Sequence, residues 1–214
     1  MTGTRARIAH FCGLRPGLSS PTRLRATLVA LALLGAYASA VAQEPPVLAH
    51  QALDQTRSAF SFALRTRWGI SIEGRFAQFT GGVDTLPDGR RRVRVRLAAN
   101  AVEVDGPSRY TQIARGPELF DAAQHPWIEF VSVPYEPSLG TQGGTLVGQL
   151  SMHGVTREQR FELTPSRCVR PGVDCEVLAQ GSVSRAEYGL DSWRWLLGDR
   201  VQFLIRVRLD EPSS

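Results

Sequence analysis

The sequence predicts an all-β protein, an eight-stranded antiparallel barrel with one short helical excursion. Apolar and polar residues alternate along most segments, which is the pattern of half-buried strands. Turn signals such as Pro87-Asp88-Gly89 separate these segments. An apolar sheet face cannot stay open to water, so the sheet is expected to close on itself. A closed barrel of eight strands either fills itself with side chains or holds one small ligand.

Residues 1–42 predict a secretory signal peptide. They contain five arginines and no acidic residue, and an apolar run over residues 24–42 ends in small residues. The predicted cleavage site precedes Gln43, with cleavage after Ala40 as the alternative. A membrane anchor is the competing interpretation, but the apolar run is short for a membrane span. The sequence therefore predicts an exported protein.

The predicted mature chain has two parts, a flexible N-terminal tail over residues 43–50 and one barrel domain over residues 51–214. Removing residues 1–42 leaves 20 basic and 20 acidic residues, because the leader holds five of the 25 basic residues and no acidic one. The balanced charge gives no support for a nucleic-acid partner. The absence of lysine from the sequence excludes Schiff-base chemistry.

Cys168 and Cys175 are the cysteines that remain after removal of the leader, and an even count in an exported protein predicts a disulfide. The Pro171-Gly172 turn between them would place the bond at a hairpin tip. A redox pair is the alternative, but the pair lacks CxxC spacing and shows no helix N-terminus that would lower a thiol pKa.

Alternation predicts eight strands, near residues 58–67, 70–79, 92–97, 127–135, 145–153, 158–165, 174–184 and 199–209. Gly74 predicts a bulge or a bend within the second strand. Gly81-Gly82 predicts a turn. The main helical excursion is expected to begin at Gly116-Pro117, because proline suits the first turn of a helix, and to end before Pro126. A further short helix is predicted over residues 107–114.

Several motifs together resemble the YceI-like family of periplasmic, lipocalin-like proteins that bind polyisoprenoids. They occur in the family's order, behind a leader: Leu53-Asp54 with Phe60 and Phe62, Gly74-Arg75-Phe76 with Phe79 and Gly81-Gly82, Leu119-Phe120-Asp121 with Pro126, Ile128 and Phe130, Val147 to Arg157, and Arg185 to Leu190. The resemblance covers about Leu53 to Leu209. It implies a lipocalin-like barrel with an elongated apolar cavity for an isoprenoid, a quinone-like lipid or another long-chain amphiphile.

Alternation and the resemblance together predict which side chains face the barrel interior, a subset of them lining the ligand cavity: Phe60, Phe62, Phe76, Phe79, Leu119, Phe120, Trp127, Phe130, Leu150 and Phe203. A single long apolar chain would then be the cargo of a carrier protein. The alternative is an envelope accessory protein with a filled barrel, whose surface contacts a partner such as a membrane protein.

Chemistry-bearing residues favour binding over catalysis. The sequence contains no phosphate loop, no Gly-x-Ser-x-Gly and no dinucleotide fingerprint, so no cofactor is predicted. His50, His125 and His153 show no metal-ligand spacing, and no metal is predicted. Glu118, Asp121 and His125 offer an acid–base trio, although capping and turn roles also explain them.

Three arginines lie within the family-like motifs and are candidates to bind the polar head group of the amphiphile, namely Arg115, Arg157 and Arg185. Ion pairs with Glu118 or Glu187 are an equally ordinary role for them.

Overall fold

The structure is a computed structural model that describes residues 46–211. The predicted signal peptide and most of the predicted tail lie outside the described residues. Strand β1 begins at Ala49, so the last two residues of the segment predicted to be a flexible tail, Ala49 and His50, belong to this strand. Between residues 46 and 211, no helix is both long and apolar enough to cross a membrane.

Eleven strands form a single antiparallel sheet in the described part of the chain, rather than the predicted eight. The strands are β1 (Ala49–Ala52), β2 (Ala59–Thr66), β3 (Ser71–Phe76), β4 (Phe79–Thr85), β5 (Arg91–Ala98), β6 (Val102–Val104), β7 (Trp127–Ser132), β8 (Gly144–Met152), β9 (Val155–Leu163), β10 (Val177–Ser184) and β11 (Leu197–Val207). Their order in the sheet is β1-β4-β5-β7-β8-β9-β10-β11-β2-β3-β6. The all-β, antiparallel prediction is confirmed, and the additional strands are β1, β4 and β6.

The prediction of a turn at Gly81-Gly82 is wrong, because both residues lie inside β4. A Cβ atom on Gly81 would lie 2.0 Å from the carbonyl oxygen of Arg94 in β5, and one on Gly82 would lie 2.2 Å from the carbonyl oxygen of Gln51 in β1. Glycine therefore permits β4 to lie close to both of its neighbours. Glycine placed for close strand contact and glycine placed for a turn give the same sequence signal.

The main helix lies before Gly116, whereas the main prediction placed it after that residue. Helix α1 covers Ser108–Arg115, in agreement with the secondary prediction for residues 107–114. It ends where the longer excursion was expected to begin, since the N–H of Gly116 donates to the carbonyl oxygens of Gln112 and Ile113. Residues 117–125 form turns. A second helix, α2 (Leu139–Gln142), and two 3₁₀ turns make the helical content more than a single excursion.

Leu53 joins the two sides of the curled sheet. Its N–H donates to the carbonyl oxygen of Gly81 in β4 at 2.9 Å, and it also forms an antiparallel bridge with Leu209, just after β11. The inner face therefore encloses a continuous apolar core. Phe60, Phe62 and Leu64 of β2 all point into it, as their alternation predicts.

Three glycines on the sheet receive the aromatic rings of core phenylalanines. A Cβ atom on Gly74, Gly148 or Gly181 would lie 2.5 Å from a ring atom of Phe62, Phe130 or Phe161, respectively. The predicted bulge at Gly74 is not observed, because β2 and β3 stay in register from Ser61–Arg75 to Arg65–Ser71. The missing side chain makes room for a ring instead of interrupting the strand.

The Cys168–Cys175 disulfide is present, with its Cα atoms 6.1 Å apart. It closes the connection between β9 and β10, as predicted. Inside this loop the carbonyl oxygen of Gly172 accepts a hydrogen bond of 2.8 Å from the N–H of Leu209. The loop is therefore tied to the end of the last strand.

Candidate functional site

A large apolar cavity of about 740 Å³ occupies one end of the barrel. Its walls come from β2, β3 and the turn between them, β6, β8, β10, β11, helix α1, the turn segment after α1 and the loop before β11. The apolar side chains that line it include Phe62, Leu64, Ile113, Leu119, Phe120, Met152, Val183, Leu190, Val201 and Phe203. This volume lies within the range of known small-molecule sites.

A smaller cavity of about 130 Å³ lies further along the same strands. Phe60 of β2 faces it, whereas Phe62 and Leu64 of the same strand face the large cavity. In β11, Ile205 faces the small cavity. Phe203 lines both, so its ring marks the boundary between the two spaces.

The mouth of the large cavity carries large apolar side chains beside the charged residues Glu73, Asp105 and Arg109. Trp68, Ile70, Tyr110 and Ile113 line this cavity and are also exposed to solvent, with Trp68 at 68% and Ile70 at 64% exposure. Large apolar side chains that are exposed together around a cavity are typical of a site where a ligand enters.

Arg185 is the buried cation of the large cavity, with 4% of its surface exposed. Its guanidinium donates to the carbonyl oxygens of Ser192 at 2.7 Å and Gly198 at 3.4 Å. Among residues 46–211 it forms no salt bridge, so the alternative role of an ion pair with Glu187 is not observed. Burial lowers the pKa of Arg185, although Asp199 and Asp191 act in the opposite direction. An arginine holds five N–H donors, so these two bonds do not exhaust it.

Arg115, another candidate for the head group, instead donates twice to the carbonyl oxygen of Val102. This bond ties the end of α1 to β6. Arg157 is exposed on β9 and does not line either cavity.

Seven of the ten residues predicted for the ligand site line a cavity. Phe62, Leu119 and Phe120 face the large cavity, whereas Phe60, Phe130 and Leu150 face the small one, and Phe203 faces both. Phe76 and Phe79 are buried behind these walls. Phe76 packs against Phe62 and Phe120, with ring centroids 5.6 and 5.8 Å away, and Phe79 packs against Phe60 at 4.8 Å.

The prediction that Trp127 faces the interior is wrong. Trp127 is 39% exposed, and its ring lies under the guanidinium of Arg96 at 4.6 Å from the centroid. Ile128 and Phe130 are the buried residues of β7, and successive side chains of a strand point to opposite faces. Trp127 therefore lies on the outer face of the barrel.

Sequence reasoning missed the contribution of α1 to the cavity wall. Tyr110, Ile113 and Ala114 line the large cavity from this helix. Their spacing of three and four residues places them on one helical face, which was the available signal. Trp193, from the loop before β11, also lines the same cavity and was not among the predicted site residues.

The predicted trio of Glu118, Asp121 and His125 does not form as a unit. The carboxylate of Glu118 accepts a hydrogen bond of 2.7 Å from the indole N–H of Trp193. Asp121 and His125 instead lie together with His153, which comes from the turn between β8 and β9.

The fold and the cavities define a lipocalin-like barrel with an internal apolar space. The family model of the YceI-like domain matches residues 51–209. The chain belongs to the YceI-like family, as the sequence motifs predicted. No curated protein matches the chain in a sequence comparison.

Solved structures with the same fold include three from different bacteria. Burkholderia cenocepacia BcnA is 19% identical with a TM-score of 0.62, and the match covers 72% of this chain and 98% of BcnA. A Saccharophagus degradans polyisoprenoid binding domain, implicated in plant cell wall breakdown, is 16% identical with a TM-score of 0.55 and coverages of 75% and 98%. The Campylobacter jejuni YCEI protein is 17% identical with a TM-score of 0.50 and coverages of 65% and 85%.

Proposed function

We propose that this protein is a periplasmic carrier that binds one isoprenoid or similar long-chain amphiphile in the large cavity. The observation that carries the proposal is an apolar space of about 740 Å³ with a buried cation in its wall. Membership of the YceI-like family and the polyisoprenoid-binding relative from Saccharophagus degradans support a lipid ligand. The disulfide agrees with an oxidising compartment.

Burial of the tail supplies the binding energy in this proposal. Each buried methylene contributes about 0.8 kcal/mol, so a chain of about twenty carbons gains enough to offset the cost of ordering it. The aromatic and aliphatic wall residues need no chemical reactivity for this task. The exposed Trp68 and Ile70 at the mouth shield the tail as it enters.

Arg185 is proposed to bind the polar head group. Its guanidinium already lies in the cavity wall and makes hydrogen bonds only to main-chain carbonyls of Ser192 and Gly198 within the described residues. A phosphate, a carboxylate or a quinone oxygen would accept its remaining N–H groups. The proposal therefore specifies an amphiphile with a hydrogen-bond-accepting head.

The direct experiment extracts the purified exported protein with organic solvent and identifies co-purifying long-chain compounds by mass spectrometry. Binding of a fluorescent polyprenyl analogue is then measured for the wild type and for Val183→Phe, which narrows the large cavity from β10. Val131→Phe is the matched control, because Val131 is 38% exposed and lines neither cavity.

We expect Val183→Phe to abolish uptake while Val131→Phe binds like the wild type. Far-ultraviolet circular dichroism verifies that both variants are folded. If the wild type takes up no chain of any length, the carrier proposal is wrong and a surface-acting envelope protein becomes the better description.

The head-group proposal is tested with Arg185→Gln and with Arg157→Gln as its control. Charged hydrogen bonds are worth about 1.5–3 kcal/mol, so Arg185→Gln should weaken binding of a polyprenyl phosphate about tenfold or more. Binding of an uncharged hydrocarbon of the same length should change little. Equal loss for both ligands would show that Arg185 acts only by supporting the wall.

A further inference from the structure

Asp121, His125 and His153 each present one potential ligand atom, and these atoms all lie within 4.8 Å of one another. The imidazole rings of the two histidines are 4.8 Å apart between centroids. We propose that this cluster is a binding site for a divalent transition metal ion of the zinc type. The site is separate from the proposed lipid site, because none of the three residues lines either cavity.

Two separate turns of the backbone hold the three side chains. Asp121 and His125 belong to one turn, in which the N–H of His125 donates to the carbonyl oxygen of Asp121 at 2.8 Å. His153 lies in the turn between β8 and β9, with a φ of 52°. The His125 ring packs over Gly154, where a Cβ atom would lie 3.1 Å from the ring. The absence of a side chain at residue 154 therefore lets the rings approach.

The tautomer of His153 is set for metal binding. Its Nδ1 lies 3.3 Å from the carbonyl oxygen of Tyr188, and a carbonyl can only accept a hydrogen bond. Nδ1 therefore carries the proton, which leaves the lone pair of Nε2 available as a ligand. Zinc-bound histidines commonly donate their other ring N–H to a carbonyl or carboxylate in this manner. Tyr188 is fully buried, so this support is rigid.

Asp121 and His125 have no competing partner within residues 46–211. Neither the Asp121 carboxylate nor the His125 ring forms a hydrogen bond or an ion pair there. His50 differs, because its Nδ1 lies 2.7 Å from a carboxylate oxygen of Asp84. All three members of the cluster are only partly buried. The site is therefore accessible to a hydrated ion from solvent.

The donor set favours zinc over the alkaline-earth ions. Two imidazoles and one carboxylate are ligands that suit Zn²⁺, whereas Ca²⁺ and Mg²⁺ prefer sites built from oxygen atoms. Three protein ligands leave a fourth tetrahedral position for water. The bound ion would connect the turn segment that follows α1 to the β8–β9 hairpin, and thereby fix Phe120, the cavity residue that precedes Asp121.

The test uses the exported protein, purified without a polyhistidine tag and stripped of metal with a chelator. Zn²⁺ binding is measured by isothermal titration calorimetry for the wild type, His125→Ala, His153→Ala, Asp121→Asn and the control His50→Ala. We expect one ion per wild-type chain, and a loss of affinity of about 10- to 100-fold or more for each histidine variant. His50→Ala should bind within about twofold of the wild type.

Thermal melting of each metal-free variant separates loss of binding from loss of folding. Zn²⁺ should raise the melting temperature of the wild type and of His50→Ala, and a chelator should reverse that rise. Excess Mg²⁺ should not displace the zinc. Zinc binding that is absent from the wild type, or equal in the wild type and a His125→Ala/His153→Ala double variant, would overturn the proposal.

Discussion

The indole N–H of Trp193 donates a hydrogen bond of 2.7 Å to the carboxylate of Glu118, across 75 positions of sequence. Trp193 belongs to the loop before β11, and Glu118 to the turn segment after α1. Both segments contribute walls to the large cavity, through Trp193 itself and through Leu119 and Phe120. This single bond therefore connects two walls that would have to separate for a bulky ligand to pass between them.

Trp193→Phe should accelerate release of a bound lipid without much effect on stability. The substitution keeps an aromatic ring but removes the N–H, and the net contribution of an exposed hydrogen bond is only about 0.5–1.5 kcal/mol. Stopped-flow exchange of a fluorescent polyprenyl analogue measures the rate. The control is Trp195→Phe, because Trp195 is 66% exposed and lines neither cavity. An unchanged release rate for Trp193→Phe would show that the bond does not limit ligand passage.

Leu150→Trp should destabilise the protein, because Leu150 faces the small cavity of about 130 Å³ and is 5% exposed. Overpacking of this kind costs about 1–3 kcal/mol. Chemical denaturation measures the change in the free energy of unfolding. Uptake of a short polyprenyl chain by the large cavity should persist. Full stability together with lost uptake would instead place the ligand in the small cavity.

Gly148→Ala should also destabilise the barrel. Its Cβ atom would lie 2.5 Å from the Phe130 ring and 2.6 Å from the carbonyl oxygen of Val131, so a ring in the core would have to move. We expect a loss of about 1–3 kcal/mol in denaturation experiments. Gly116→Ala is the control, because its Cβ would have only ordinary contacts at 3.4 Å. Equal stability of the two variants would contradict a packing role for Gly148.

Replacement of both Cys168 and Cys175 by serine should lower the free energy of unfolding by about 2.5 kcal/mol, as expected from loop closure for about eight residues. Denaturant titration of the oxidised wild type and the double variant measures this difference. Binding at the large cavity should be retained, because neither cysteine lines it. Two free thiols in the native exported protein, detected by alkylation, would contradict the bond itself.

Asp54 should contribute to stability at neutral pH and lose that contribution in acid. Hydrogen bonds from the side chains of Thr56 and Arg57 to the Asp54 carboxylate lower its pKa in the folded state, and the bond from Thr56 has the larger effect. A carboxyl group with a lowered folded pKa stabilises the fold above its unfolded pKa of about 3.9, and the contribution falls as the pH drops through the folded value.

The wild type and Asp54→Asn should therefore differ more in unfolding free energy at about pH 7 than at about pH 3. Denaturant titration at both pH values measures this change. Asp210→Asn is the control, because within the described residues its carboxylate accepts no hydrogen bond. A difference between the wild type and Asp54→Asn that stays constant with pH would exclude this role.

Strand alternation predicted the inward side chains of β2 and β11 from sequence, because the period of two is a local property of an extended chain. Sequence patterns failed to predict β4, where Gly81 and Gly82 allow the backbone to lie close to β5 and β1. Those contacts join residues far apart in the chain, so no local pattern contains them. Trp127 shows a different limit. It was predicted to face the interior together with Phe130, although odd and even positions of a strand face opposite ways.

The Asp121, His125 and His153 cluster could not be predicted from spacing. His125 and His153 lie 28 positions apart, and the β8–β9 hairpin brings the second beside the first only in the folded chain. The helix boundary at Gly116 was misplaced for a related reason. Glycine followed by proline is compatible with both the end of one helix and the beginning of another, and the bonds to Gln112 and Ile113 decide between them.

The disulfide loop has a consequence for the length of the apolar chain that the proposed carrier could bind. Pro171 and Gly172 lie inside this loop and line the small cavity, on the far side of Phe203 from the large one. An apolar chain that moved the Phe203 ring aside and filled both spaces would meet this wall. Because Gly172 is also hydrogen-bonded to Leu209, the wall cannot retreat easily. The covalent loop would therefore set an upper limit on the number of isoprene units that the barrel accepts.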